Sequence, residues 1–273
     1  MEPPAAKALE YINVEKDAAL NSLVKKDPRL LLYRDQHDMT LLHRAAQRGA
    51  YNSIQVLLKC GADPYATLPR SEWSPIHLAA RDTADFAIVK VYVEFGIDIR
   101  GVDASGRNIL HICCMHGNVE FCAQLIELNL IDLSEANLAL DSKGWTALHY
   151  AAWHGNCSCV ELLLKGQANS LLTDKDGYSP LHLACESAAL VSIKLLAADI
   201  KPKLSASGWA EILTECVAIV RAKNDAALVA FLKRYEADAH SSADPFPLHQ
   251  AVKNADLAKV KVQLRKRLKL TSI

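Results

Sequence analysis

Ten histidines and eight cysteines are the residues of this 273-residue chain best equipped for chemistry. Two stretches set them at ligand-like spacing: His111-x-Cys113-Cys114-x-His116 and His154-x-x-Cys157-x-Cys159. Imidazole and thiolate are donors that zinc accepts, but a structural zinc site takes four convergent ligands. Neither stretch carries the paired Cys-x-x-Cys knuckles that would supply them. A nucleophile elbow, a glycine-rich phosphate loop and a His-Glu-x-x-His helix are also missing from the sequence. No catalytic residue, cofactor or metal is expected.

Six of the histidines instead close a recurring tetrapeptide: Thr40-Leu41-Leu42-His43, Ser74-Pro75-Ile76-His77, Asn108-Ile109-Leu110-His111, Thr146-Ala147-Leu148-His149, Ser179-Pro180-Leu181-His182 and Phe246-Pro247-Leu248-His249. The steps between them are 34, 34, 38, 33 and 67 residues. The last holds a worn unit centred on Cys216, and the 38-residue step places an insertion near Asn129–Leu140. A stride of this length marks a stacked repeat array, not a single globular core. Within each unit the Ser or Thr can cap a helix, and the Pro of three units suits the first helical position. Small pairs follow the His (Ala45-Ala46, Ala79-Ala80, Cys113-Cys114, Ala151-Ala152, Ala184-Cys185), letting neighbouring helices approach closely. Gly49, Gly117 and Gly155 fall where a helix can end in a left-handed residue. Turns with Asp-x-x-Gly spacing, such as Asp103 to Gly106, precede the caps.

These residues resemble the ankyrin repeat. The resemblance implies an all-α ankyrin-repeat solenoid of about seven to eight helix–turn–helix units with short β-hairpin tips, degenerate at both ends. Residues 1–34 are expected to be an N-terminal capping repeat, with Leu9 in the His position, and 35–205 five well-formed repeats. A degenerate repeat and a C-terminal capping repeat would fill 206–273. The motif histidines are expected to hydrogen-bond between repeats. The repeats occupy the chain, so no catalytic domain is expected within it.

The resemblance also implies a concave partner surface made of hairpin tips and the exposed face of each first helix. Four residues before the motif histidines stand Met39, Trp73, Arg107, Trp145 and Tyr178; four and five residues after them stand Arg81, Met115, His116, Trp153 and His154. Trp209 falls on the expected hairpin of the worn unit, so all four tryptophans occupy recognition positions. Aromatic residues, Met and Arg are the types enriched in interface cores and hot spots. These ten residues are the expected contacts for a protein partner, an extended peptide or one helix. The opposing possibility is that the aromatics pack between hairpins and stiffen the stack.

Lys and Arg number 31, Asp and Glu 31, so no global field favours nucleic acid or an anionic membrane. No apolar run approaches a membrane span, and the first residues lack the apolar stretch of a signal peptide. Eight cysteines then read as thiols in a reducing compartment, and a monomeric cytoplasmic or nuclear protein is expected. The rival reading rests on Lys259, Lys261, Arg265, Lys266, Arg267 and Lys269, a basic helix that could reach a membrane or nucleic acid. Thr271-Ser272-Ile273 could also present an apolar C-terminus to a PDZ groove.

Overall fold

The computed structural model describes residues 4–83, 87–127 and 140–240, with side chains to residue 233. These residues form fourteen α-helices and no strand. The closing repeat around His249, the basic run 259–269 and most of the 129–140 insertion lie outside the described residues.

Each repeat begins where the sequence places its cap. Helix α3 (Leu41–Arg48) opens on Thr40, α5 (Pro75–Asp82) on Ser74, α7 (Ile109–His116) on Asn108, α9 (Ala147–Trp153) on Thr146 and α11 (Pro180–Glu186) on Ser179. In all five the cap side chain and the motif His close a reciprocal box. In the first, His43 Nδ1 accepts the Thr40 amide at 3.3 Å and faces the Thr40 hydroxyl at 2.8 Å. An acceptor Nδ1 leaves the proton on Nε2, which donates to the Trp73 carbonyl of the next repeat at 3.1 Å. His149 repeats this with the Tyr178 carbonyl, also at 3.1 Å. The expected structural role of the motif histidines is therefore realised in these two.

Second helices return behind the first: α4 (Tyr51–Lys59), α6 (Ala87–Glu94), α8 (Val119–Glu127), α10 (Cys157–Lys165) and α12 (Leu190–Ile200). Ile54, Leu57, Ile88, Phe121, Leu125, Val160, Leu163, Ile193 and Leu196 are essentially inaccessible on them. Each such side chain contributes about 1.5–3 kcal/mol. The small pairs after each His are equally buried, which lets α3 pack on α5 and α5 on α7. Gly49, Gly117 and Gly155 end or follow the first helices at φ of 71°, 72° and 68°.

Chain contacts divide the molecule into two compact units. The first contains α1 (Pro4–Asn13), α2 (Asp17–Lys26) and α3 to α8, the second α9 to α12 followed by α13 (Ala206–Ala222) and α14 (Ala226–His240). At the N-terminal end the buried residues of α1 are Ala8 and Ile12; Leu9, at the register position of the motif His, is half-buried. The worn unit differs more. It has no hairpin: Ser205 caps a 17-residue helix whose first turns bury Trp209 at 1% exposure. Trp209 is thus a core residue, not a hairpin-tip contact.

Candidate protein-interaction surface

The hairpin tips are hydrogen-bonded turns organised by aspartate. Asp35 Oδ1 accepts the amides of His37 and Met39, Asp103 Oδ1 those of Ser105 and Arg107, and Asp174 Oδ1 those of Asp176 and Tyr178, all at 2.8–3.1 Å. The residue five before each motif His turns left-handed, whether Asp38, Glu72, Gly106, Gly144 or Gly177. Neighbouring tips are joined by backbone bonds, Ala104 to Ser71 at 3.1 Å in the first unit and Lys175 to Lys143 at 3.1 Å in the second.

The tryptophans expected on the partner surface are used between repeats. Trp73 and Trp145 are only 8% and 9% exposed, and Tyr178 5%. Trp73 Nε1 donates to Asp103 Oδ2 at 2.8 Å, and Trp145 Nε1 to Asp174 Oδ2 at 2.9 Å. Each indole therefore ties its own repeat to the turn aspartate of the next. The expectation that these three rings are exposed is corrected. The following hairpin covers Trp73 and Trp145, because a flat ring that satisfies its N–H there can bury most of its area, and Tyr178 is buried although the unit after it has no hairpin.

Two of the expected contacts in the first unit lie over Trp73. The guanidinium of Arg81 stands 5.2 Å from the Trp73 ring centre and that of Arg107 5.9 Å, within cation–π range. Arg107 also pairs with Asp103 at 2.7 Å and reaches the Met115 sulfur at 3.6 Å. Arg81 pairs with Asp82 at 2.6 Å, and Gln47 of the preceding repeat donates to Asp82 at 3.2 Å. Arg81, Arg107, Met115 and Met39 are half-buried and His116 is exposed. In the second unit Trp145 contacts Tyr150 edge-on at 5.0 Å and Trp153 at 5.9 Å, with the Lys143 ammonium 5.2 Å from its ring. Trp153 is half-buried, and exposed His154 stacks on Tyr150.

Asp82, Asp103, Lys143 and Tyr150 belong to these clusters and were not among the expected contacts. The turn aspartates were legible as turn residues only. Their second role needs the distance from one repeat's tip to the next.

The two carboxylates of the Trp73 cluster are held below their ordinary range by their partners. Burial works to raise the Asp103 carboxyl, but hydrogen bonds from Arg107, Trp73 and the turn amides outweigh it and hold the group below the usual carboxylate range. Asp82 is likewise lowered: burial opposes, and Arg81 with Gln47 prevails. Burial holds His154 below the ordinary imidazole value and pushes His43 down to about 4.

The two ligand-like stretches part company. Among the described residues the group that draws together is Cys113, Cys114 and Cys122, whose sulfurs lie within 4.8 Å of one another. His111 serves its capping box instead. No helix among the described residues is long and apolar enough to cross a membrane.

A family model described as ankyrin repeats, three copies, matches residues 42–137, 76–171 and 129–206, more than half of the chain. The chain belongs to the ankyrin-repeat family. Its fold is accordingly an all-α ankyrin solenoid, and the ankyrin repeat makes it a protein-interaction module. Palmitoyltransferase AKR1 of Lachancea kluyveri is 31% identical over 150 residues, covering 55% of this chain and 20% of that protein. Tyrosine-protein kinase HTK16 of Hydra vulgaris is 27% identical over 149 residues, 54% of this chain and 19% of the kinase. Calmodulin-binding transcription activator CBT of Oryza sativa subsp. japonica is 32% identical over 156 residues, 56% and 15%. The chain spans a fifth or less of these relatives, and their names share no activity.

Proposed function

We propose that this ankyrin-repeat chain is a non-catalytic adaptor or inhibitor that binds a partner protein on its hairpin tips and first-helix faces. The observation that carries the reading is the cluster over Trp73. Two guanidiniums, a thioether and two carboxylates from two consecutive repeats are held in one arrangement by ion pairs and a shared ring. Side chains already ordered in this way lose little rotamer freedom on association, and Arg anchors are frequent hot spots. Arg81, Arg107, Met115 and His116 would touch the partner in the first unit, with Met39 beside them. Trp153 and His154 would do so in the second. Trp73, Trp145 and Tyr178 would support the contact from beneath.

The same reading places the protein in the cytoplasm or nucleus as a monomer. It is supported by eight cysteines that form no disulfide. The test compares crosslinked partners of the wild type with those of Arg81→Ala/Met115→Ala, whose fold is checked by circular dichroism. Loss of a specific partner at unchanged stability supports the proposal. An undiminished partner set, or a partner that the intact chain loses at high salt and that is lost on deleting residues 259–269 but not in the double variant, removes it.

A further inference from the structure

The three thiols of the third motif repeat are arranged in a way that its neighbours are not. Cys113 and Cys114 lie on α7 and Cys122 on α8, all at 0% exposure. The Sγ atoms of Cys114 and Cys122 are 3.6 Å apart, all three lie within 4.8 Å, and the Cys113 thiol donates to the Leu110 carbonyl at 3.3 Å. In other repeats the pair matching Cys114 and Cys122 is Ala46/Ile54, Ala80/Ile88, Ala152/Val160 and Cys185/Ile193, and Cys113 is matched by alanine throughout. A larger residue at the Ala position with a smaller one at the Ile position conserves volume, so packing tolerates the exchange. Packing does not require sulfur on both sides, nor a third thiol beside them.

We infer that Cys113, Cys114 and Cys122 form a binding site for a trivalent thiophilic ion, with arsenous acid as the chemical form that enters. Three sulfurs bonded at about 2.3 Å to one centre stand about 4 Å apart when planar, and somewhat closer in a pyramid. Cys114 and Cys122 already lie in that range, and the Cys113 sulfur, within 4.8 Å of both, needs to move by less than about 1 Å to join them. Zinc would call for a fourth ligand, and among the described residues no imidazole or carboxylate joins the group. Charge decides between soft ions. A monovalent or divalent ion on three thiolates leaves net negative charge in a dry core, which is strongly disfavoured. A trivalent centre leaves none.

The reaction balances without a redox partner. Arsenous acid exchanges its three hydroxyl groups for three thiols; each S–H proton leaves with a hydroxyl as water, and arsenic stays trivalent. Because the thiols are closed to solvent, entry requires transient separation of α7 from α8, so uptake should be slow and release slower.

The test uses the full chain, reduced with a phosphine so that no competing dithiol is present, and arsenous acid as the probe. Intact-mass analysis should show one arsenic atom gained and three hydrogens lost, with three sulfur neighbours in the arsenic absorption spectrum and a raised melting temperature. Cys114→Ala/Cys122→Val recreates the Ala152/Val160 pair, should fold, and should take up none. Cys113→Ala should weaken binding at least a hundredfold. Cys157→Ser/Cys159→Ser should bind as the wild type does. No uptake by the wild type after warming, or equal uptake by the Ala/Val variant, overturns the site.

Discussion

Trp73 donates its indole N–H to Asp103 at 2.8 Å, thirty residues further along the chain. The same carboxylate organises the next turn and pairs with Arg107, so one buried group joins two repeats and orders part of their surface. Hydrogen bonds to charged groups contribute about 1.5–3 kcal/mol. Trp73→Phe should therefore lower stability by about 2 kcal/mol in urea unfolding, and Trp145→Phe by a similar amount. In a cycle with Asp103→Asn, the Trp73 effect should shrink. Additive losses would show that the bond carries no energy. Trp73→Ala is a poor probe of binding, since the cavity alone costs about 3–5 kcal/mol.

The repeat frame was readable because its signals are local. Caps, the N1 prolines and the glycines at left-handed positions each depend on a few neighbours in sequence, and Thr40, Pro75 and Gly117 behave as their types dictate. Exposure is not local. The positions of Trp73 and Trp145 match surface positions by count, yet the following hairpin covers both, and that follows only from stacking. Trp209 failed for another reason. Counting strides past His182 assumes another hairpin, whereas the chain there continues as a long helix whose apolar face takes the indole inside.

His43 sets a pH dependence. Its imidazole ordinarily titrates near 6.5 and is pushed down to about 4 by burial. Between those values the unfolded chain binds a proton that the folded chain does not. Stability is thus complete above pH 6.5 and is lost as pH falls towards 4. At about 1.4 kcal/mol per pH unit, His43 alone accounts for roughly 3 kcal/mol; His77, lowered chiefly by burial, acts in the same direction. Urea midpoints should decline steadily from pH 7 to 5, and a flat profile would contradict this account.

Gly49 has φ of 71°, and a Cβ built on it would stand 2.8 Å from Thr83 Oγ1. Gly49→Ala meets both a left-handed backbone penalty of about 1–2 kcal/mol and this contact. A loss above 1 kcal/mol is expected, and Thr83→Ala in the same chain should return the steric share. Thermal denaturation of the single and double variants measures both.

His182 has no hairpin carbonyl ahead of it. Its Nε2 stands 3.1 Å from Glu215 Oε2 on α13 without the geometry of a hydrogen bond. Glu215→Ala should cost less than about 1 kcal/mol, because the His182 Nε2 has no hydrogen bond to lose. Hydrogen-exchange protection should stay nearly unchanged in α11 and α13; faster exchange in both would show that the contact is stabilising.

The inter-repeat ties have a direction. His43 reaches forward to Trp73, Trp73 to Asp103, His149 to Tyr178 and Trp145 to Asp174. As the chain leaves the ribosome, these repeats wait for roughly the next thirty residues before the imidazole or indole concerned is satisfied. Assembly in the order of synthesis therefore lags translation by one unit. The relay ends at His182, whose Nε2 has no hairpin carbonyl to reach.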